Sequence, residues 1–168
     1  MNPPVLRLSL FLLGLVAVFA VSGCNSFSST KDYTPTAARF YIEASDGDAF
    51  ASAVLPVSGA RVSVSNKPFI TEADIVHVDV EQSDMGRYLV FHLTPSATRD
   101  LYRFTGNNQG RRIVVAINGI PLGARQIDAP FNGGYIAMFV EIPEDQLPLL
   151  IKNLNGTSTE IQKAAAKL

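Results

Sequence analysis

His77 and His92 are the only two histidines in the chain, and by type they are the side chains best suited to chemistry. An imidazole is a metal ligand, a general base and a proton carrier near neutral pH. Asp79 stands two residues after His77, the spacing that places both on one face of a strand. Two imidazoles and a carboxylate are the beginning of a zinc or copper site, so the metal candidates are His77, His92 and Asp79. A structural zinc site takes four ligands, and the single cysteine, Cys24, lies far upstream. Outward polar residues are also ordinary on a strand, so no metal and no cofactor is assigned.

Other reactive patterns are missing. There is no Gly-x-Ser-x-Gly elbow to expose a nucleophile. Gly119 and Gly123 bracket Ile120-Pro121-Leu122 without a following Lys-Ser/Thr, so no phosphate loop is present. Glu141, Glu144 and Asp145 gather where a helix is expected to begin, and the helix macrodipole accounts for them. Arg111-Arg112 enters a strand and reads as a solvated pair, able to meet lipid headgroups or a partner. No catalytic residue is assigned, and the chain is read as a non-enzyme.

The elements that must position the histidines are two strands and a turn. Val76, Val78 and Val80 alternate with His77, Asp79 and Glu81, and Leu89, Phe91 and Leu93 alternate on the return after Ser83-Asp84-Met85-Gly86. If both strands bury one face, the register closest to the turn pairs Val78 with Phe91 and His77 with His92. The two imidazoles then stand side by side on the outer face, near Asp79.

The rest of the chain supplies the support. Phe40, Ile42 and Ala44 alternate with polar neighbours until Ser45-Asp46-Gly47-Asp48 breaks the strand, and Val62 and Val64 alternate with Arg61, Ser63 and Ser65. Thr71 with Asp74 has the spacing of a capping box. Thr94-Pro95 opens a helix, with Thr as N-cap and Pro at the first position. Ala97, Leu101 and Phe104 share its face, and Gly106-Asn107-Asn108 ends it. The continuous apolar run Ile113 to Ile117 predicts a central strand. Asn118-Gly119 predicts a type I′ hairpin, with Gly123 as a bulge on the return strand of Ile120, Leu122 and Ile127. After Asn132-Gly133-Gly134, Ile136, Met138, Val140 and Ile142 form a last strand. A second helix from about Pro143 carries Leu147, Leu150, Ile151 and Leu154, with Gly156 as its C-cap. Six to seven strands and two helices imply an α+β fold: a mostly antiparallel sheet with the two helices packed on one face. The strand–helix–strand over 87–117 predicts a right-handed crossover.

The start of the chain has a different character. Arg7 precedes an apolar run, Leu8 to Ala20, broken only by Ser9 and Gly14. Its length suits a secretory signal and falls short of the roughly 20 residues of a membrane span. Val21-Ser22-Gly23-Cys24 then resembles the bacterial lipobox. The resemblance implies cleavage between Gly23 and Cys24 and lipidation of the Cys24 thiol. Residue 25 is Asn rather than Asp, which leans towards the outer membrane. The domains expected are a signal peptide, 1–23; a lipidated cysteine with a Ser/Thr-rich tether, 24–37; a folded domain, 38–155; and a frayed tail, 156–168. A flexible tether of that length reaches roughly 20 Å. The mature part has no cysteine pair for a disulfide, and it stays close to neutral, which excludes the basic surface that nucleic acid requires.

From Ile70 to Leu154 the order of signals is similar to the head domain of the first periplasmic loop of SecD, a subunit of the bacterial protein-export machine. Phe91-His92-Leu93-Thr94-Pro95-Ser96-Ala97 resembles its strand-into-helix junction. Phe104 to Gly119 resembles its helix end, basic pair, apolar strand and hairpin. Ala129-Pro130, Gly133-Gly134 and Pro143 to Leu154 resemble its last turn, strand and helix. These positions form the fold and perform no catalysis. SecD has multiple membrane spans, and no second long apolar stretch exists here. The resemblance therefore implies a SecD-head-like, non-catalytic periplasmic module that touches an envelope protein or a translocating polypeptide. The other expectation is a small-ligand or metal-binding lipoprotein using the His77/His92 face.

Overall fold

The computed structural model describes residues 31–45, 47 and 50–167. Its strands are β1 (Ala38–Ile42), β2 (Phe50–Val54), β3 (Arg61–Ser65), β4 (Ile75–Ser83), β5 (Gly86–Leu93), β6 (Arg112–Ile117), β7 (Ile120–Gln126) and β8 (Tyr135–Met138). Its α-helices are α1 (Pro95–Gly106) and α2 (Leu147–Ala165). The strands pair antiparallel in three ladders, β1-β6-β7, β2-β3 and β4-β5-β8. The class is α+β, as expected.

The unbroken apolar run of β6 has a direct cause. Ile113, Val115 and Ile117 face the main core, while Val114 faces the other way, into a second cluster with Ala53, Val62 and Val64. A strand buried on both faces has no polar side to alternate with. The β2-β3 hairpin covers the far face and joins the end of β1 through Ala44 N–H to Ser63 C=O, 2.8 Å. The sequence Phe-Ala-Ser-Ala-Val of β2 carries little β-branched character, so this strand was not expected. At the β6-β7 turn, Asn118 and Gly119 have φ of 49° and 82°, the type I′ geometry. Val115 pairs with Gly123 and Ala116 with Pro121, so the bulge falls at Leu122, beside the expected glycine.

The β4-β5-β8 ladder packs one face on the main core, while on the other only Val90 of the central strand is buried, at 3% exposure. Val78, Leu89, Phe91, Ile136 and Met138 enter the main core, and Phe91 meets Phe40 of the first ladder edge-on, ring centroids 5.0 Å apart. The valine alternation holds only in part. A register shift between Ile75 and His77 turns Ile75 inward and leaves Val76 outside, and Val80 remains 43% exposed beyond the core. The last strand stops at Met138, although Val140 and Ile142 still pack on the core.

The helices correct two expectations. α1 begins as read, with the Thr94 hydroxyl accepting from Ala97 N–H at 3.3 Å. It joins β5 of one ladder to β6 of another, so there is no parallel pair for a right-handed crossover. α2 runs through Gly156 to Ala165, where a C-cap and frayed tail were expected. Gly156 serves close approach: a Cβ there would lie 2.3 Å from the Tyr33 ring. Residues at the end of the expected tether lie along α2. Thr34 N–H donates to Asn153 Oδ1 at 3.0 Å, and Thr36 N–H to Thr157 Oγ1 at 2.8 Å. The folded unit accordingly begins at Asp32. α2 also seals an edge, since Asn155 accepts from Val78 N–H at 2.7 Å and donates to Val78 C=O at 2.9 Å.

Candidate functional site

Alternation along β4 sends Val78 into the core and its neighbours His77 and Asp79 outward. The two-residue turn Asp84-Met85, with Gly86 at φ 119°, returns the chain so that His77 pairs with His92 and Val78 with Phe91. This is the register expected from burial alone. The two imidazoles share one acceptor: His77 Nε2 lies 2.9 Å from Asp79 Oδ1 and His92 Nε2 3.2 Å from Asp79 Oδ2. Their ring centroids are 6.2 Å apart. The three side chains are 52%, 41% and 50% exposed for His77, His92 and Asp79. The carboxylate thus occupies the space between the rings. Among the described residues no group of three or more His, Cys, Asp or Glu is arranged to hold a metal ion.

Aromatic side chains extend this open face. Tyr135 on β8 lies 6.1 Å from His92, and Tyr88 on β5 lies 5.5 Å from Phe139, ring to ring. The Tyr88 hydroxyl donates to Glu81 at 2.6 Å, which raises its pKa by stabilising the protonated form. Phe139 and Tyr135 are 41% and 44% exposed. Sequence reading missed Tyr88, Tyr135 and Phe139. The signal was available: residues out of phase with Leu89, Ile136 and Met138 belong on the solvent side.

Two other polar groups prove structural. Arg112 pairs with Glu43 through its guanidinium, and its N–H donates to Glu43 Oε2 at 2.9 Å. Arg111 donates to the Glu43 carbonyl and, at 2.6 Å, to Asn108 Oδ1. The arginines expected to be solvated instead pin the end of β1 to the start of β6. The Arg112 hydrogen bond holds the Glu43 carboxyl below its usual range, against the opposing effect of burial. Glu141 is likewise no helix-dipole residue. It accepts from Val57 N–H at 2.7 Å and Ser58 N–H at 3.0 Å, which ties down the β2-β3 turn. Hydrogen bonding, from the Ser58 side chain foremost and then from these N–H groups, lowers its pKa. Glu144 and Asp145 do lie in the turn of 3-10 helix before α2.

Gly23, Cys24 and the whole 1–23 segment lie outside the described residues. Among the described residues no helix is long and apolar enough to cross a membrane.

The geometry is that of an α+β domain with one ladder face left open. Solved structures of SecDF share this fold. One, described as a membrane component that enhances protein export, superposes with a TM-score of 0.57 at 14% identity, covering 73% of this chain and 63% of that one. A second, SecDF in a super-membrane-facing form, gives 0.57 at 14% identity over 72% of this chain and 19% of that one. The chain thus spans less than two thirds of either, and the likeness is one of fold. No family model and no curated protein matches the sequence.

Proposed function

We propose that this chain is a membrane-anchored envelope lipoprotein, held by a lipid on Cys24 after cleavage behind Gly23. It displays a non-catalytic SecD-head-like domain that binds polypeptide as an assembly or export accessory. The observation that carries this reading is the shared fold with SecDF. The lipobox-like Val21-Ser22-Gly23-Cys24 supports the anchor, and Asn25 supports the outer membrane, facing the periplasm. The open face of β4-β5-β8 supplies exposed aromatic rings, the side chains most often used as anchors at protein interfaces. Fold by itself does not carry function, so the partner must be sought directly.

The test is crosslinking in intact cells, comparing full-length protein with a version that keeps the anchor and lacks residues 32–168. Adducts with one envelope protein or with export-machine components, present only with the full chain, support the reading. Equal recovery by the anchor alone defeats it. Incorporation of labelled fatty acid that is lost in Cys24→Ser tests the anchor separately.

A second reading, a small-ligand or metal-binding lipoprotein using the His77/His92 face, rests on the convergence of both imidazoles on Asp79. A rise in thermal midpoint with Zn²⁺ or Cu²⁺, lost in His77→Ala and in His92→Ala, would favour it over the first.

A further inference from the structure

β7 and β8 face each other as the inner edges of the two three-stranded ladders. Near one end they are joined: Glu141 N–H donates to Leu122 C=O at 2.6 Å. Gly123 permits this, since a Cβ there would lie 2.3 Å from the Phe139 carbonyl. Towards the other end no strand ladder joins them, and the Arg125 side chain reaches across. Its guanidinium donates to Ala137 C=O at 2.9 Å and lies 4.8 Å above the Phe131 ring.

These unpaired edges present backbone groups to one another. Antiparallel pairs alternate between hydrogen-bonded and non-bonded. Val78 directs its backbone away from β5, to Asn155. Its partner Phe91 therefore directs its backbone to β8, opposite Ile136, and the next residue, Ala137, turns its own outward. On the facing edge, Ile127 N–H donates to Arg111 C=O at 2.9 Å. Counting back in twos bonds Arg125 to β6 and turns the Ala124 backbone outward. Beside Arg125 on one side is a hollow of about 410 Å³ lined by Met85, Tyr88, Ala124, Ala137 and Phe139. On the other is one of about 230 Å³ lined by Asp128, Phe131 and Tyr135. In the wider hollow Arg125 is the one charged lining residue.

We propose that this seam binds an extended segment of another polypeptide, apolar in character and carrying one carboxylate that meets Arg125. The inference deepens the polypeptide-binding reading above and rests on it. Strand addition at a sheet edge draws affinity from main-chain hydrogen bonds and specificity from side-chain pockets. Here the apolar side chains of the segment lie against Met85, Tyr88 and Phe139. Its carboxylate satisfies the complementary charge of Arg125 through the guanidinium fork. Arg125 then releases the Ala137 carbonyl, which becomes an acceptor for an N–H of the incoming strand.

The experiment uses the full-length protein in detergent and two labelled decapeptides of alternating leucine and serine, one with a central glutamate and its twin with lysine. Fluorescence anisotropy reads their binding. The glutamate peptide is expected to bind about fivefold more tightly, the scale of an exposed ion pair. Arg125→Glu reverses the preference. Met85→Glu weakens the glutamate peptide severalfold, and because Met85 is 81% exposed in a turn, this variant keeps the fold and guards against misfolding of the first. Equal binding of the twins, binding unmoved by both substitutions, or no binding of either peptide overturns the seam assignment. None of these results decides the broader reading, which the comparison of full chain with anchor alone decides.

Discussion

The two three-stranded ladders share a core and differ in what covers their backs. The β1-β6-β7 ladder is sandwiched: Val115 and Ile113 face the main core, and Val114 faces the β2-β3 hairpin. The β4-β5-β8 ladder is open, with Phe91 and Leu89 fully buried on one side and His77, Asp79, His92, Tyr135 and Phe139 exposed on the other. In the first, both faces answer to packing. In the second, the outer face buries Val90 and leaves the side chains around it exposed, and it is there that the proposed recognition residues gather.

Substitutions sharpen this contrast. The largest effect falls on the inner face of the open ladder: Phe91→Ala removes a ring at 0% exposure and is expected to cost about 3–5 kcal/mol in chemical denaturation. Next is the joined end of the seam. Gly123→Ala forces a Cβ against the Phe139 carbonyl and Met138, costing about 1–3 kcal/mol by overpacking. Val114→Ala, on the far face of the sandwiched ladder, is expected to lose ~1.5 kcal/mol, about two buried methyl-sized groups. A loss as small for Val114 as for the exposed Val80 would show that the hairpin does not cover that face.

Glu43→Gln comes fourth, at about 1 kcal/mol near neutral pH, for a weakened charged pair. Its pH dependence has a definite sign. Arg112 depresses the Glu43 pKa and Arg39 depresses that of Glu72, so the carboxylates stabilise the fold above their unfolded value of about 4.3. That contribution is lost as pH falls through the lower folded values. Glu43→Gln should therefore flatten the acid limb of the stability curve. The smallest effect is on the open face: His92→Ala should change stability by less than ~0.5 kcal/mol. A cost several times larger would mean that the face is structural, and would erase the distinction between the ladders.

Where burial dictates side-chain phase, the sequence was legible. The His77–His92 register followed from matching Val78 to Phe91, because a slip by one residue would expose both. Thr94-Pro95 and Asn118-Gly119 were readable because few residues satisfy those backbone conformations. Legibility failed where a distant contact decides. Gly156 resembles a helix terminator, but the reason for glycine is the Tyr33 ring, more than a hundred residues away in sequence. Arg111, Arg112 and Glu141 look like surface charges until the backbone ends they tie together are in place. β2 holds its strand through pairing with β3, a partner its own composition does not announce. Of the candidate site, the histidine pair was visible in advance. Its aromatic neighbours and Arg125 were not, since nothing local shows that two sheet edges will meet at β7 and β8.

The most direct test of the open ladder as the working surface is site-resolved photocrosslinking in intact cells. A photoreactive residue is placed at Phe139 or Tyr135 on the open face, or at Tyr102 or Leu149 on the helices, all exposed side chains. The account predicts one discrete polypeptide adduct from the Phe139 and Tyr135 positions, absent from Tyr102 and Leu149. Adducts confined to the helix positions, or the same adducts from all four, would contradict it.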